Sequence, residues 1–239
     1  MGPTIHPCTK GIWIWGAPLS GFTAQGEPIN VLVLDSEGLG GLDEDSNHDM
    51  RIFSLALLMS SFFVYNSIGQ IDEMAIQNLS MVVNLTQFIR TKVSQNSEAG
   101  SDAIESIMPN FLWVLRDFSL QLEDEKGNEI TSKEYLEKAL SLRSNDAHDT
   151  KNKIRENLCK YFKNRDCTTM VRPLMEEDRL QSLEEMEIES LRTEFIEQVV
   201  DLRRKLLNRL PVKKIQNHVM DGATWAGLIQ LYVKSINSG

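Results

Sequence analysis

The chain has 239 residues, 41% of them hydrophobic, so it is long and apolar enough to bury a substantial core in one large α/β domain. Its 25 Lys and Arg stand against 34 Asp and Glu, and the net charge of −9 excludes broad electrostatic affinity for nucleic acid or an anionic membrane, while leaving room for a small anion at one local site. Cys8, Cys159 and Cys167 are too few and too scattered for a disulfide framework or a zinc site, the start lacks the basic and apolar regions of a signal peptide, and no window holds the ~18 to 20 apolar residues of a membrane span. These features predict a cytoplasmic chain with no membrane span. The sequons at Asn78 and Asn84 lie inside a helical pattern and are read as chance.

In chain order, Gly11 to Trp15 is rich in strand formers, Gly16 to Pro28 reads as a Gly- and Pro-bearing loop, and Ile29 to Leu34 reads as a neighbouring strand. Val31-Leu32-Val33-Leu34 then ends in Asp35-Ser36-Glu37-Gly38, the pattern of a buried parallel strand delivering a carboxylate to a sheet edge. Arg51 to Leu58 reads as a helix, Ser61 to Asn66 as a strand, Asp72 to Ile89 as a helix with Asp72 and Glu73 at its positive end, and Gln95 to Asp102 as a polar loop. Phe111 to Leu115 is a strand ending in Arg116 and Asp117. Helices follow over Ser132 to Leu142, with Thr131 and Glu134 fitting a capping box, and over Lys151 to Phe162. Cys167 to Val171 reads as a last strand, with helices over Leu180 to Leu207 and Thr224 to Asn237. This alternation predicts an α/β fold, a mostly parallel or mixed sheet with helices on both faces. Trp13, Trp15 and Trp113 are assigned to the core, and His6, His48, His148 and His218 show no metal-ligand spacing.

Three strands thus end in polar residues that would meet at one carboxyl edge: Asp35 with Glu37, Asn66, and Arg116 with Asp117. An Asp at a strand end holds Mg²⁺ through water, a Gly after it lets a backbone N–H approach a phosphate, and an Asp two strands away accepts from a base edge with adjacent N–H donors. Thr9 offers a hydroxyl to the same metal.

The segments Pro7-Cys8-Thr9-Lys10-Gly11-Ile12-Trp13-Ile14-Trp15, Leu34-Asp35-Ser36-Glu37-Gly38-Leu39-Gly40, Ser60 to Gly69 and Trp113-Val114-Leu115-Arg116-Asp117-Phe118 resemble, in order and spacing, the large GTPase domain of guanylate-binding proteins. Arg172-Pro173 and Tyr232 to Gly239 extend the resemblance over the whole chain. It implies a P-loop-GTPase-like domain over residues 1–239 that binds GTP or GDP and Mg²⁺ and hydrolyses GTP. Thr9 would belong to switch I and bind Mg²⁺, Asp35 would contact Mg²⁺ through water, and Glu37 with Gly38 would arrange the γ-phosphate and attacking water. Base recognition would fall to Arg116 and Asp117, with a guanine cap beginning near Arg172. The resemblance also implies dimerisation, with a second copy or a related GTPase, across nucleotide and caps.

One element of that pattern is lacking. Gly16-Ala17-Pro18-Leu19-Ser20-Gly21-Phe22-Thr23 imitates the spacing of the phosphate-binding G-x-x-x-x-G-K-S/T, but Phe22 stands where the Lys belongs and Pro18 removes a donor. The first strand, P-loop and first helix implied by the resemblance therefore have no counterpart in these residues. Each charge-assisted hydrogen bond so lost is worth ~1.5 to 3 kcal/mol, so weak or absent GTP binding is expected of this polypeptide. The rival reading is a non-catalytic interaction module that acts through dimerisation.

Overall fold

A computed structural model describes residues 9–38, 46–80, 107–143, 150–208, 210–215 and 218–237. The expected loop from Gln95 to Asp102, the far part of the Asp72 to Ile89 helix, and Cys8 lie outside them.

The centre is a parallel three-stranded sheet in the order β5 (Phe62–Ile68), β6 (Asn110–Arg116), β7 (Arg165–Thr169). β6 is apolar without interruption because both its faces are covered. Its Phe111, Trp113 and Leu115 side chains enter a core with Phe53 and Leu57 of α1 (Ser46–Met59), Ile76 of α2 (Glu73–Asn78), Leu136 of α3 (Ser132–Ala139) and Leu158 of α4 (Thr150–Tyr161). Leu112 and Val114 point the other way, onto Phe195, Leu202 and Leu206 of α5 (Thr193–Leu207). This is the predicted α/β arrangement, with helices on both faces. The capping box also forms: Glu134 donates its N–H to Thr131 Oγ1 at 3.2 Å, and Thr131 donates its N–H to Glu134 Oε2 at 2.7 Å.

The N-terminal strands depart from expectation. Gly16 to Pro28 is not all loop, since β2 (Leu19–Phe22) pairs antiparallel with β3 (Pro28–Val31), closed by a turn in which Gly26 takes φ 83°. A Cβ on Gly21 would meet Val31 Cγ2 at 2.6 Å and the Leu207 carbonyl oxygen at 3.2 Å, so the hairpin approaches the end of α5 only because Gly21 has no side chain. The expected Ile29 to Leu34 strand is interrupted at Leu32 and Val33, because the chain changes partner there: β4 (Leu34–Ser36) pairs with β1 (Ile12–Ile14). That pairing is antiparallel, so Asp35 does not end a buried parallel strand. Trp13 and Trp15, expected in the core, are 66% and 68% exposed, because β1 pairs only with β4, in a two-stranded sheet apart from the central one. Trp113 is fully buried, as expected.

Other boundaries also move. Asn66 lies inside β5 because Ser67 and Ile68 continue the pairing with β6. The expected helix over Leu180 to Leu207 is helical in its final half only. Its first part falls in 3₁₀ segments at Glu177–Glu185 and Ile188–Ser190, where Leu180, Leu183 and Met186 are half-buried at the three-residue spacing that suits a 3₁₀ turn. An unanticipated hairpin of β8 (Lys214–Ile215) and β9 (His218–Val219) precedes α6 (Gly222–Asn237), whose Trp225 donates to the Met59 carbonyl at 3.0 Å. No helix among the described residues is long and apolar enough to cross a membrane.

Just before β8, Lys213 donates to the carbonyls of Ser60 at 2.7 Å and Ile107 at 3.2 Å, tying the hairpin to the entries of β5 and β6. Burial pushes its ammonium down to about 8 from the ordinary 10.5. Between these values the unfolded chain binds more protons than the folded one, so this group makes stability rise with pH. Urea unfolding of wild type and Lys213→Met is expected to show the stability difference moving towards wild type from pH 8 to 10.5. A flat difference would contradict the assignment.

Candidate functional site

The antiparallel register sets Asp35 opposite Trp13 of β1, and Glu37, just past β4, meets Gly11, just before β1. Thr9 Oγ1 donates to Asp35 Oδ2 at 2.8 Å. Gly11 and Glu37 are doubly tied: the Glu37 N–H donates to the Gly11 carbonyl at 2.9 Å, and the Gly11 N–H donates to Glu37 Oε2 at 2.6 Å. Gly11 takes φ 72°, a left-handed conformation that is strained for residues with a Cβ, and this turns its N–H towards the carboxylate.

His48, in the first turn of α1, places Nε2 on Glu37 Oε1. The Gly11 N–H, outweighing the effect of desolvation and joined by His48, holds the Glu37 carboxyl below the usual carboxylate range. The Glu37 side chain is only 8% exposed. Gly38 has open space where a Cβ would stand. Among the described residues no three His, Cys, Asp or Glu side chains converge. A cation here would rest on the Thr9 hydroxyl and Asp35, a hard-oxygen donor set that suits Mg²⁺, which keeps several of its waters.

A second group lies at the carboxyl edge of the three-stranded sheet. Arg116, the last residue of β6, donates from Nε to Asn66 Oδ1 at 2.7 Å across the β5–β6 pair. Asp117 takes φ 54°, and no other non-glycine among the described residues has a positive φ. Such a conformation costs ~1 to 3 kcal/mol and concentrates at functional positions, although Asp bears it better than most residues. The chain is held around it, since the Gly69 N–H donates to the Arg116 carbonyl at 2.7 Å and the Phe118 N–H to the Met170 carbonyl at 2.9 Å. Helix α1 connects the two groups: it packs on β4, and its Phe53 ring meets Phe63 of β5 edge-on at 5.4 Å.

Residues 1–215 match the family model described as guanylate-binding protein, N-terminal domain. The whole chain aligns at 37% identity with guanylate-binding protein 2 of Mus musculus and at 36% with guanylate-binding protein 1 of Homo sapiens, covering 41% of each. It belongs to the guanylate-binding protein family. The chain spans about two fifths of the length of these curated relatives, including the 40% covered of guanylate-binding protein 1 of Chlorocebus aethiops.

Within this family domain the predicted residues fall into two groups, Thr9, Asp35 and Glu37 in one, Arg116 and Asp117 in the other. Arg172 stands apart, its Nη1 donating to Glu177 Oε1 at 2.8 Å. The segment after β7 is fastened to α5, through the Val171 N–H to Gln198 Oε1 at 2.7 Å. The stretch Gly16 to Thr23, with its P-loop-like spacing, contains strand β2 and forms no turn into a helix. In the sequence His48 shows no metal-ligand spacing. Its contact to Glu37 depends on α1 folding back over β4, which no local spacing encodes.

Proposed function

We propose that this chain carries the switch and base-reading parts of a guanine-nucleotide site, and that GTP hydrolysis by water attack takes place there in the complete family arrangement. The observation that carries this reading is the pairing of Thr9 with Asp35 beside a Glu37 held by Gly11. Mg²⁺ would supply charge neutralisation at the β- and γ-phosphates. Thr9 and Asp35 would hold it. Glu37, kept ionised by its neighbours, is a weak base and a good acceptor, so its role is to orient the attacking water rather than to remove its proton early. Gly38, open on its side-chain face, lets its N–H approach the terminal phosphate. The Asp117 carboxylate accepts from the adjacent N–H donors of guanine, and Arg116, steadied by Asn66, lies beside the base. The segment from Arg172 would form the guanine cap, and pairing with a second copy or a related GTPase belongs to the same reading, as does a cytoplasmic location.

The sequence carries no G-x-x-x-x-G-K-S/T, whose amides and Lys would cradle the phosphates, so weak binding by this chain is expected. Saturation-transfer NMR with Mg²⁺ is expected to favour GTP over ATP, with the preference lost in Asp117→Asn and the Mg²⁺ dependence lost in Asp35→Ala. Calorimetry should show no micromolar affinity, and sedimentation of the same samples reports pairing. Equal responses to GTP and ATP would sink the reading.

A further inference from the structure

We infer that His48 is a positioning residue for Glu37, fixing its carboxylate from the first turn of α1; this rests on the nucleotide reading above. The Glu37 carboxylate is gripped at both oxygens, Oε1 by His48 Nε2 and Oε2 by the Gly11 N–H at 2.6 Å. Its own N–H is committed to the Gly11 carbonyl at 2.9 Å, so main chain and side chain are anchored to the same residue. Without His48 the terminal torsion of Glu37 would be restrained from one side only, and such sp² torsions are broad. With it, the carboxylate plane is set by two rigid supports, a strand entry and a helix. The helix is itself fixed, since Phe53 packs edge-on against Phe63 at 5.4 Å and Leu57 is fully buried.

Each carboxylate oxygen has two acceptor sites, and one donor on each leaves the others free to receive a water hydrogen. The grip therefore orients Glu37 without using it up. To donate to a carboxylate, His48 must carry a proton on Nε2, which defines its tautomer or charge state. His48 is 41% exposed on its side chain, so removing it costs little packing, and its effect should appear in the orientation of Glu37 rather than in folding.

The experiment uses the full chain with Mg²⁺ and GTP, following single-turnover hydrolysis, nucleotide affinity and the ¹⁵N signals of the histidine rings. His48→Ala is expected to slow hydrolysis by about 10- to 100-fold with affinity unchanged, since orientation rather than ground-state binding is lost. His48→Gln, which keeps a donor, should recover most of the rate. Without any nucleotide, Glu37→Gln should move the His48 ring signals. Turnover that His48→Ala leaves unaltered, or ring signals that Glu37→Gln leaves unmoved, would overturn the inference alone. A wild-type chain with no turnover leaves the nucleotide reading standing, since hydrolysis belongs to the complete family arrangement, and the inference is then decided by whether Glu37→Gln moves the His48 ring signals. Equal wild-type responses to GTP and ATP would sink the nucleotide reading and this inference with it.

Discussion

Glu73→Ala is expected to destabilise the chain by about 3 kcal/mol, because it leaves a buried guanidinium without its counter-ion. Glu73 opens α2, and its Oε1 receives Nη2 of Arg155 from α4 and Nη2 of Arg143 at 3.1 Å, while Lys151 stands 3.8 Å from Oε2. Arg155 is 1% exposed, and its Nε is spent on the Ala139 carbonyl at 3.2 Å, so it has no route to water. Removing this carboxylate strands the buried Arg155 charge and takes away the anion that Arg143 also pairs with. Glu73 is 31% exposed, which places the cost at the lower end of the ~3 to 5 kcal/mol range for broken buried pairs. Arg155→Met should cost less, since the carboxylate it leaves behind keeps Arg143 at 3.1 Å and Lys151 at 3.8 Å. Urea unfolding with an unchanged slope measures both. A loss below about 1 kcal/mol for Glu73→Ala would mean that Arg155 finds water on its own.

The same cluster shows where reading the sequence ran out. Asp72 and Glu73 were legible as carboxylates at the positive end of a helix, a local signal, and in the structure Asp72 caps that helix, accepting from the Ala75 N–H at 2.8 Å. The partnership with Arg155 spans 82 residues and left no trace in spacing. The β6 strand, the α3 capping box and the charged end at Arg116 and Asp117 were readable for the same local reasons: an apolar run long enough to be buried on both faces, and a Thr three residues before a Glu. The N-terminal strands were not. Trp13 and Trp15 carry the chemistry of a core strand, and only the choice of partner, β4 in a two-stranded sheet, decides that they face outward. At the site, residue types at strand ends pointed to Asp35, Glu37, Arg116 and Asp117, while His48 and the Gly11 N–H needed the fold to bring them to Glu37.

Trp113→Ala is the larger core effect, expected to cost ~3 to 5 kcal/mol. Trp113 is fully buried at the middle of β6, where it opposes Tyr65 in register and meets that ring edge-on at 5.3 Å. The Phe111 ring lies nearly perpendicular to it at 6.2 Å, and its indole N–H donates to Ser67 Oγ at 2.8 Å. Truncation removes the ring, opens a cavity lined by other aromatics, and leaves the Ser67 hydroxyl without this donor. Trp113→Phe keeps most of the volume but still loses that bond, so it should cost less. The consequence reaches the site, because Ser67 follows Asn66, the residue that receives Arg116, and the Trp113 clasp holds β5 and β6 in the register that sets them together. Urea unfolding should therefore show the stability loss, and GTP-over-ATP preference should fall in Trp113→Ala under conditions where the chain is still folded. If Trp113→Ala lost stability but kept its base preference, the Asn66–Arg116 contact would be held by the strand ladder alone.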